Sequence, residues 1–131
     1  MAFFADLTPY SYDHAQPSDR LLNIGWLADG HGFPVASPTD ALLSALFNAC
    51  ETRVNPMRGF QICFLCKRPK HQLTEAHWNG KVLSLGSAEI RVASRTGITF
   101  AAPNLIFHYV KEHHYRPPSV FIEALLGYAS L

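Results

Sequence analysis

Two pairs of possible metal ligands constrain the fold of this chain more than any other feature. Cys63 and Cys66 form a Cys-x2-Cys sequence, and His108 and His113 follow after 41 intervening residues. Zinc favours thiolate and imidazole ligands in a tetrahedron, and one tight turn can supply both cysteines. Histidines five positions apart lie about 140° apart around an ideal helix, so their rings converge only if the last turn loosens. Residues 116–118 (RPP) favour such loosening. The sequence therefore predicts a zinc site formed by Cys63, Cys66, His108 and His113.

Two alternatives to this ligand set remain open from the sequence. His71 and His77 can complete a site with the two cysteines inside fifteen residues, in an arrangement that resembles a zinc knuckle. That stretch lacks the glycines with which a knuckle wraps its metal, and Pro69 stiffens it. The other alternative is a pair of reduced thiols and ordinary histidines with no metal.

Composition indicates one compact domain over residues 1–131. Apolar residues make up 48% of the chain and charged residues 16%, a balance typical of a globule with a buried core. Three cysteines cannot form a paired disulfide framework, and their spacing favours a reducing compartment with a metal or redox use. We find no signal peptide and no apolar stretch of roughly 18 residues. The expectation is a cytoplasmic protein without membrane contact.

Hydrophobic periodicity predicts an α+β fold, in which about three helices pack on a small antiparallel β-meander. The first helix begins with Ser37 as N-cap and Pro38 in the first helical position, and it ends near Glu51. Residues 60–66 have the alternation of a strand that enters the cysteine turn. Asn79 and Gly80 predict a tight hairpin turn within three or four consecutive strands.

Proline and glycine mark the boundaries of the two C-terminal helices. Pro103 is predicted to start the second helix, which extends to about His113. A third helix follows residues 116–118, and Gly127 stops it. The order of cysteine turn, hairpin and histidine helix resembles a treble-clef or ββα zinc finger with a long insert.

Charge is distributed unevenly along the chain. Residues 1–52 hold one arginine against six acidic residues, a net charge of −5, whereas residues 53–116 hold ten basic residues against three acidic ones, a net charge of +7. Internal pairing, a charged protein partner and nucleic acid each fit this polarity. A nucleic-acid binder would place Phe64 and Trp78 against bases and basic side chains against phosphates. Those basic residues are Lys67, Arg68, Lys70, Lys81, Arg91 and Arg95.

Four short stretches resemble an uncharacterised family of small bacterial proteins. They are residues 7–12 (LTPYSY), 23–27 (NIGWL), 86–91 (GSAEIR) and 102–109 (APNLIFHY). Members of that kind are sometimes encoded near toxin systems, so the resemblance implies an immunity protein or another accessory protein whose partner is a toxin. It implies no catalytic residue.

A binding module fits the residues better than an enzyme does. Four protein ligands close the coordination shell of a zinc ion, whereas a catalytic ion needs an open position and a general base. Only without His113 as a ligand would a water enter, with Glu112 or His114 as the base. Motifs for phosphate binding, serine nucleophiles and zinc proteases are absent from the sequence. A metal-dependent hydrolase and a zinc-containing nucleic-acid binder are the alternatives to a non-enzymatic protein-binding module.

Overall fold

The computed structural model describes residues 3–10, 20–56, 61–66 and 75–127. Within these ranges the chain forms five strands and three helices. The strands are β1 (Leu21–Asn23), β2 (Glu75–Trp78), β3 (Lys81–Ser84), β4 (Glu89–Ala93) and β5 (Thr99–Pro103). The helices are α1 (Asp40–Cys50), α2 (Ile106–His113) and α3 (Ser119–Leu126). The α+β class and the three helices predicted from the sequence are confirmed.

Helix α1 begins two residues later than the sequence predicted. Thr39, and not Ser37, is the N-cap: its backbone is extended, and its hydroxyl accepts a hydrogen bond of 3.1 Å from the Leu42 amide. Asp40 follows in the first turn, where the positive end of the helix dipole favours a carboxylate. One face of α1 is buried, and Cys50 lies on it as a small apolar side chain in the core.

The strands form two small sheets. Strands β2 and β3 are an antiparallel hairpin, and its turn at Asn79 and Gly80 has φ values of 50° and 78°, as the Asn-Gly signal requires. The other sheet has the order β1-β5-β4. Strand β5 pairs antiparallel with β4 and parallel with β1, with Leu22 opposite Phe100 in the parallel register.

This arrangement differs from one continuous meander because β3 does not pair with β4. Between them, Gly86 adopts a φ of +99°, and its carbonyl accepts the Gln61 amide at 2.7 Å. On the far edge of β4, the Glu89 backbone exchanges two hydrogen bonds with Val54. Residues 61–66 form a turn and no strand, so the prediction of a strand entering the cysteine turn was wrong. The Gln61 amide donates its hydrogen bond to Gly86 in the connection between β3 and β4, and not to a neighbouring strand.

Helix α2 also starts later than predicted. Pro103 is the last residue of β5, opposite Glu89, and the helix begins at Ile106 after a turn. A proline lacks an N–H and therefore fits the end of a strand as readily as the start of a helix. Here the pairing with β4 places Pro103 in the strand. Helix α3 ends at Gly127 in the left-handed conformation with a φ of 70°, as predicted.

One apolar core joins the three helices to the inner faces of both sheets. Helix α2 lies at its centre, where Ile106, Phe107, Tyr109 and Val110 are buried completely or nearly so. A smaller cluster of Tyr10, Trp26 and Ala101 covers the other face of the β1-β5-β4 sheet. Across the described ranges, no helix has the length and apolar character needed to cross a membrane.

Candidate metal centre

We define residues 61–66 as the cysteine turn. A hydrogen bond at its first residue fixes the turn to the rest of the fold. The Gln61 amide bonds to Gly86, and the Gly86 amide in turn donates to the side chain of Asn104 at 2.7 Å. A Cβ atom at position 86 would lie 2.2 Å from the Gln61 carbonyl oxygen, so only glycine allows this close approach of two backbones. The turn itself comes at Phe64 and Leu65, between the two cysteines.

Two histidines on α2 reach the same region because the helix ends in a widened turn. The amides of His114 and Tyr115 both donate to the Tyr109 carbonyl, which lies five and six residues before them, and not four. His114 takes the left-handed conformation with a φ of 58°. The rings of His108 and His113 consequently meet edge to face with centroids 5.1 Å apart, the convergence that a loosened last turn allows.

Four potential ligand atoms converge between the cysteine turn and α2. Cys66 Sγ lies 3.1 Å from His108 Nε2 and 3.5 Å from His113 Nε2, and Cys63 Sγ lies 3.4 Å from His113 Nε2. All four ligand atoms fall within 4.8 Å of one another. The structure thus brings together the four residues that the sequence singled out, in a cluster that can hold a metal ion.

The surroundings of the cluster are apolar on the side of the core. Cys63 is buried, and this burial raises the pKa of its thiol to about 11. Burial also lowers the pKa of His113 below its usual range, which favours the neutral ring that a metal requires. Burial is the main cause that raises the pKa of the Tyr109 phenol, and the negative charge of Cys63 and Cys66 thiolates raises it further.

The other candidate ligands lie elsewhere or outside the described residues. His71, one half of the local alternative, falls in a stretch that the structure does not describe. His77 lies on β2 with an exposed side chain whose Nε2 is 3.6 Å from a Glu75 oxygen, and it is not part of the cluster. His114 is exposed at the end of α2 and is not part of it either.

Two residues of the site were not singled out by the sequence reasoning. Gly86 anchors the cysteine turn, and an isolated glycine between two strand patterns is a recognised signal for close backbone approach. Tyr109 was assigned to the apolar face of its helix, yet its hydroxyl is buried without a hydrogen-bond partner among the described residues. No local pattern distinguishes such a tyrosine from an ordinary core residue.

Comparison with known families matches nearly the whole chain. The chain belongs to the family described as a domain of unknown function, DUF7919, whose family model matches residues 2–126. No curated protein and no solved structure shows a significant match.

Proposed function

We propose that Cys63, Cys66, His108 and His113 bind one structural zinc ion, which ties the cysteine turn to α2. The observation that carries the proposal is the convergence of two thiols and two Nε2 atoms within 4.8 Å. Zinc–sulfur bonds of about 2.3 Å and zinc–nitrogen bonds of about 2.0–2.1 Å give a tetrahedron with sulfur–nitrogen edges of roughly 3.5 Å. The three sulfur–nitrogen distances of 3.1, 3.4 and 3.5 Å are close to that edge.

Hydrogen bonding between thiols and imidazoles accounts less well for this geometry. The Cys66 sulfur contacts the Nε2 atoms of both His108 and His113. A thiol can donate its one proton to one of the two rings, and it accepts only a weak hydrogen bond from an N–H of the other. A cation at the common centre satisfies both contacts at once. Two sulfur and two nitrogen ligands suit zinc, whereas magnesium and calcium require oxygen ligands.

A closed set of four protein ligands favours a structural ion over a catalytic one. Such an ion would fix the cysteine turn against the core, and its contribution would be to folding. On this basis we propose a non-enzymatic scaffold that acts by binding another protein. The sequence resemblance implies a more specific role for such a scaffold, that of an immunity protein or another accessory protein.

Several contacts argue against nucleic acid as the partner. Trp78 donates its indole N–H to the Ser44 hydroxyl at 2.9 Å and packs against Phe107, so its ring is not a free platform for bases. Phe64 packs against Tyr109. Among the basic side chains, Arg91 pairs with Glu89 at 2.9 Å and Lys81 with Glu51 at 3.6 Å.

Acidic side chains of the N-terminal part support a protein partner with a basic surface. Asp29 and Asp40 are exposed. Charges of this kind raise association rates and make a complex sensitive to salt. The proposal is tested by measuring binding of the purified protein to basic proteins and to oligonucleotides at low and moderate salt. Tight binding to unrelated DNA or RNA at moderate salt would contradict it.

Metal analysis of purified protein tests the zinc site directly. We expect one zinc ion per chain in the native protein, and its loss in Cys63→Ser and His108→Ala. His77→Ala is the matched control, because it removes a histidine outside the cluster, and it should keep its zinc. Zinc retained in His108→Ala but lost in His71→Ala would move the site to the local set, and native protein that cannot take up zinc would refute the proposal.

A further inference from the structure

The convergence of His108 and His113 depends on a helix end that departs from regular geometry. In a regular helix the two rings would point about 140° apart, because the residues are five positions apart. Here the amides of His114 and Tyr115 donate to the Tyr109 carbonyl and so widen the last turn. A regular α-helical turn is the commoner arrangement, so the widened end needs support from contacts outside the helix.

Tyr115 provides this support from just beyond the end of α2. Its side chain is 1% exposed, and its ring packs edge to face against Phe33 with centroids 6.0 Å apart. Its hydroxyl donates a hydrogen bond of 2.7 Å to a carboxylate oxygen of Asp6, which lies 109 residues earlier in the sequence. The backbone is held as well, because residues 34–36 pair with residues 114–116. A movement of Tyr115 would disturb all of these contacts.

Asp6 is itself fixed by a tight turn in the N-terminal segment. Its other carboxylate oxygen accepts the Gly25 amide at 2.9 Å, and Gly25 packs against Ile106 at the start of α2. The next residue, Leu7, has a φ of 69°, a left-handed conformation that is strained for a bulky side chain. Such strain persists only where surrounding contacts hold it, and the Leu7 amide donates to the Asn23 carbonyl at 2.7 Å. The carboxylate of Asp6 is therefore a fixed acceptor for the Tyr115 hydroxyl.

We propose that Asp6 and Tyr115 position His113 for metal binding by holding the widened end of α2. The inference rests on the zinc site proposed above, and neither residue is a ligand in it. Their hydrogen bond joins the N-terminal segment to the residue two positions after His113. Without this bond, the end of α2 is free to become a regular helix, in which the His113 ring turns away from His108. Metal binding must then restore the widened turn, so the apparent zinc affinity falls with the fraction of molecules that keep it.

The experiment compares the wild type with Tyr115→Phe, Asp6→Ala and Tyr10→Phe. Tyr115→Phe keeps the buried ring and removes only the hydroxyl, so it tests the proposal even if Asp6→Ala does not fold. Tyr10→Phe is the matched control. Tyr10 is also 1% exposed and also donates its hydroxyl to a carboxylate, that of Glu89, but it lies in the separate small cluster.

Three quantities are measured for each protein. Zinc affinity is obtained by competition with a chelator, and the stability of the metal-free form by urea unfolding. Hydrogen exchange at the amides of His114 and Tyr115 reports directly on the widened turn, because these two amides form it.

We expect Tyr115→Phe and Asp6→Ala to lower zinc affinity about tenfold, the fall that results when about one molecule in ten keeps the widened turn. Exchange at both amides should be faster in the metal-free variants than in the wild type. Combining the two substitutions should lower zinc affinity little further, because both remove the same hydrogen bond. Tyr10→Phe should unfold more easily but keep the wild-type zinc affinity and the wild-type exchange at His114 and Tyr115.

The possible failures of the two proposals are distinguishable. If Tyr115→Phe is less stable yet binds zinc as tightly as the wild type, the positioning role is refuted while the zinc site stands. An equal loss of affinity in Tyr10→Phe would trace the effect to general destabilisation and would refute the role as well. A wild type that takes up no zinc would refute both proposals.

Discussion

The Gln61 amide donates a hydrogen bond of 2.7 Å to the Gly86 carbonyl, and this contact fixes where the cysteine turn begins. The two backbones approach so closely that no side chain fits at position 86. The metal cluster therefore depends on a residue that contributes no ligand atom.

Gly86→Ala should destabilise the protein by about 3 kcal/mol and weaken zinc binding. The substitution combines a φ of +99° with a clash against the Gln61 carbonyl oxygen, and strained backbone alone costs roughly 1–3 kcal/mol. Urea unfolding and chelator competition measure the two effects. Gly30→Ala is the control, because Gly30 has a φ of +83° with nothing within 4 Å and should lose only about 1 kcal/mol. Equal losses in the two variants would mean that the clash is relieved elsewhere.

Removal of the buried Glu89 carboxylate should lower the stability of the protein far more than removal of an exposed carboxylate. Glu89 is buried and accepts hydrogen bonds from the Tyr10 hydroxyl and from Arg91, both at 2.9 Å. Glu89→Ala leaves the guanidinium without its partner in a partly buried place, so we expect a loss of about 3 kcal/mol in urea unfolding. Glu75→Ala, which affects only the exposed pair with His77, should change stability by about 0.5 kcal/mol or less. A small loss for Glu89→Ala would indicate that water replaces the carboxylate.

Zinc affinity should rise steeply with pH between pH 7 and 8. Burial raises the pKa of Cys63 to about 11, so the metal-free protein keeps this thiol proton in that range and zinc must displace it. Each unit of pH increase therefore strengthens binding at least tenfold. The pKa of His113 is lowered, so its ring is already neutral at pH 7 and adds to the pH dependence only in acid. Chelator competition at the two pH values measures the ratio, with the chelator's own titration as control, and equal affinities would contradict the expectation.

Cys50 and Cys66 should differ in their reaction with an alkylating reagent. Burial raises the pKa of Cys50 to about 12, so this thiol should stay unmodified in native protein whether or not metal is present. Cys66 is only half-buried and should react when the metal is removed and resist when zinc is bound. Mass mapping of modified peptides distinguishes the two sites. Modification of Cys50 before Cys66 would show that the core opens more readily than the cysteine turn.

The features that local sequence determines were predicted well. Helical spacing located α1 and its buried face, Asn79 and Gly80 located the hairpin turn, and Gly127 located the end of α3. Each depends on residues within one or two turns of the chain. The widened end of α2 was predicted from proline positions and from the need of His108 and His113 to converge.

Features that depend on distant pairing were missed. The parallel pairing of β1 with β5 joins segments that share no local pattern, and the assignment of Pro103 to β5 depends on its position opposite β4. Gly86 belongs partly to the same group, because an isolated glycine signals a close backbone approach but does not identify Gln61 as the segment that approaches it. In each case the deciding contact comes from elsewhere in the chain, where short-range propensity gives no information.

The place of β1 beside β5 has a consequence for how the molecule reaches its native state. Strand β1 precedes α1, the cysteine turn and the hairpin, and its partner begins only at Thr99. Pairings between segments so remote require closure of a large loop before they yield any stabilisation, which slows folding to the millisecond-to-second range. During synthesis on the ribosome, β1 must therefore wait without β5 until most of the chain has been made.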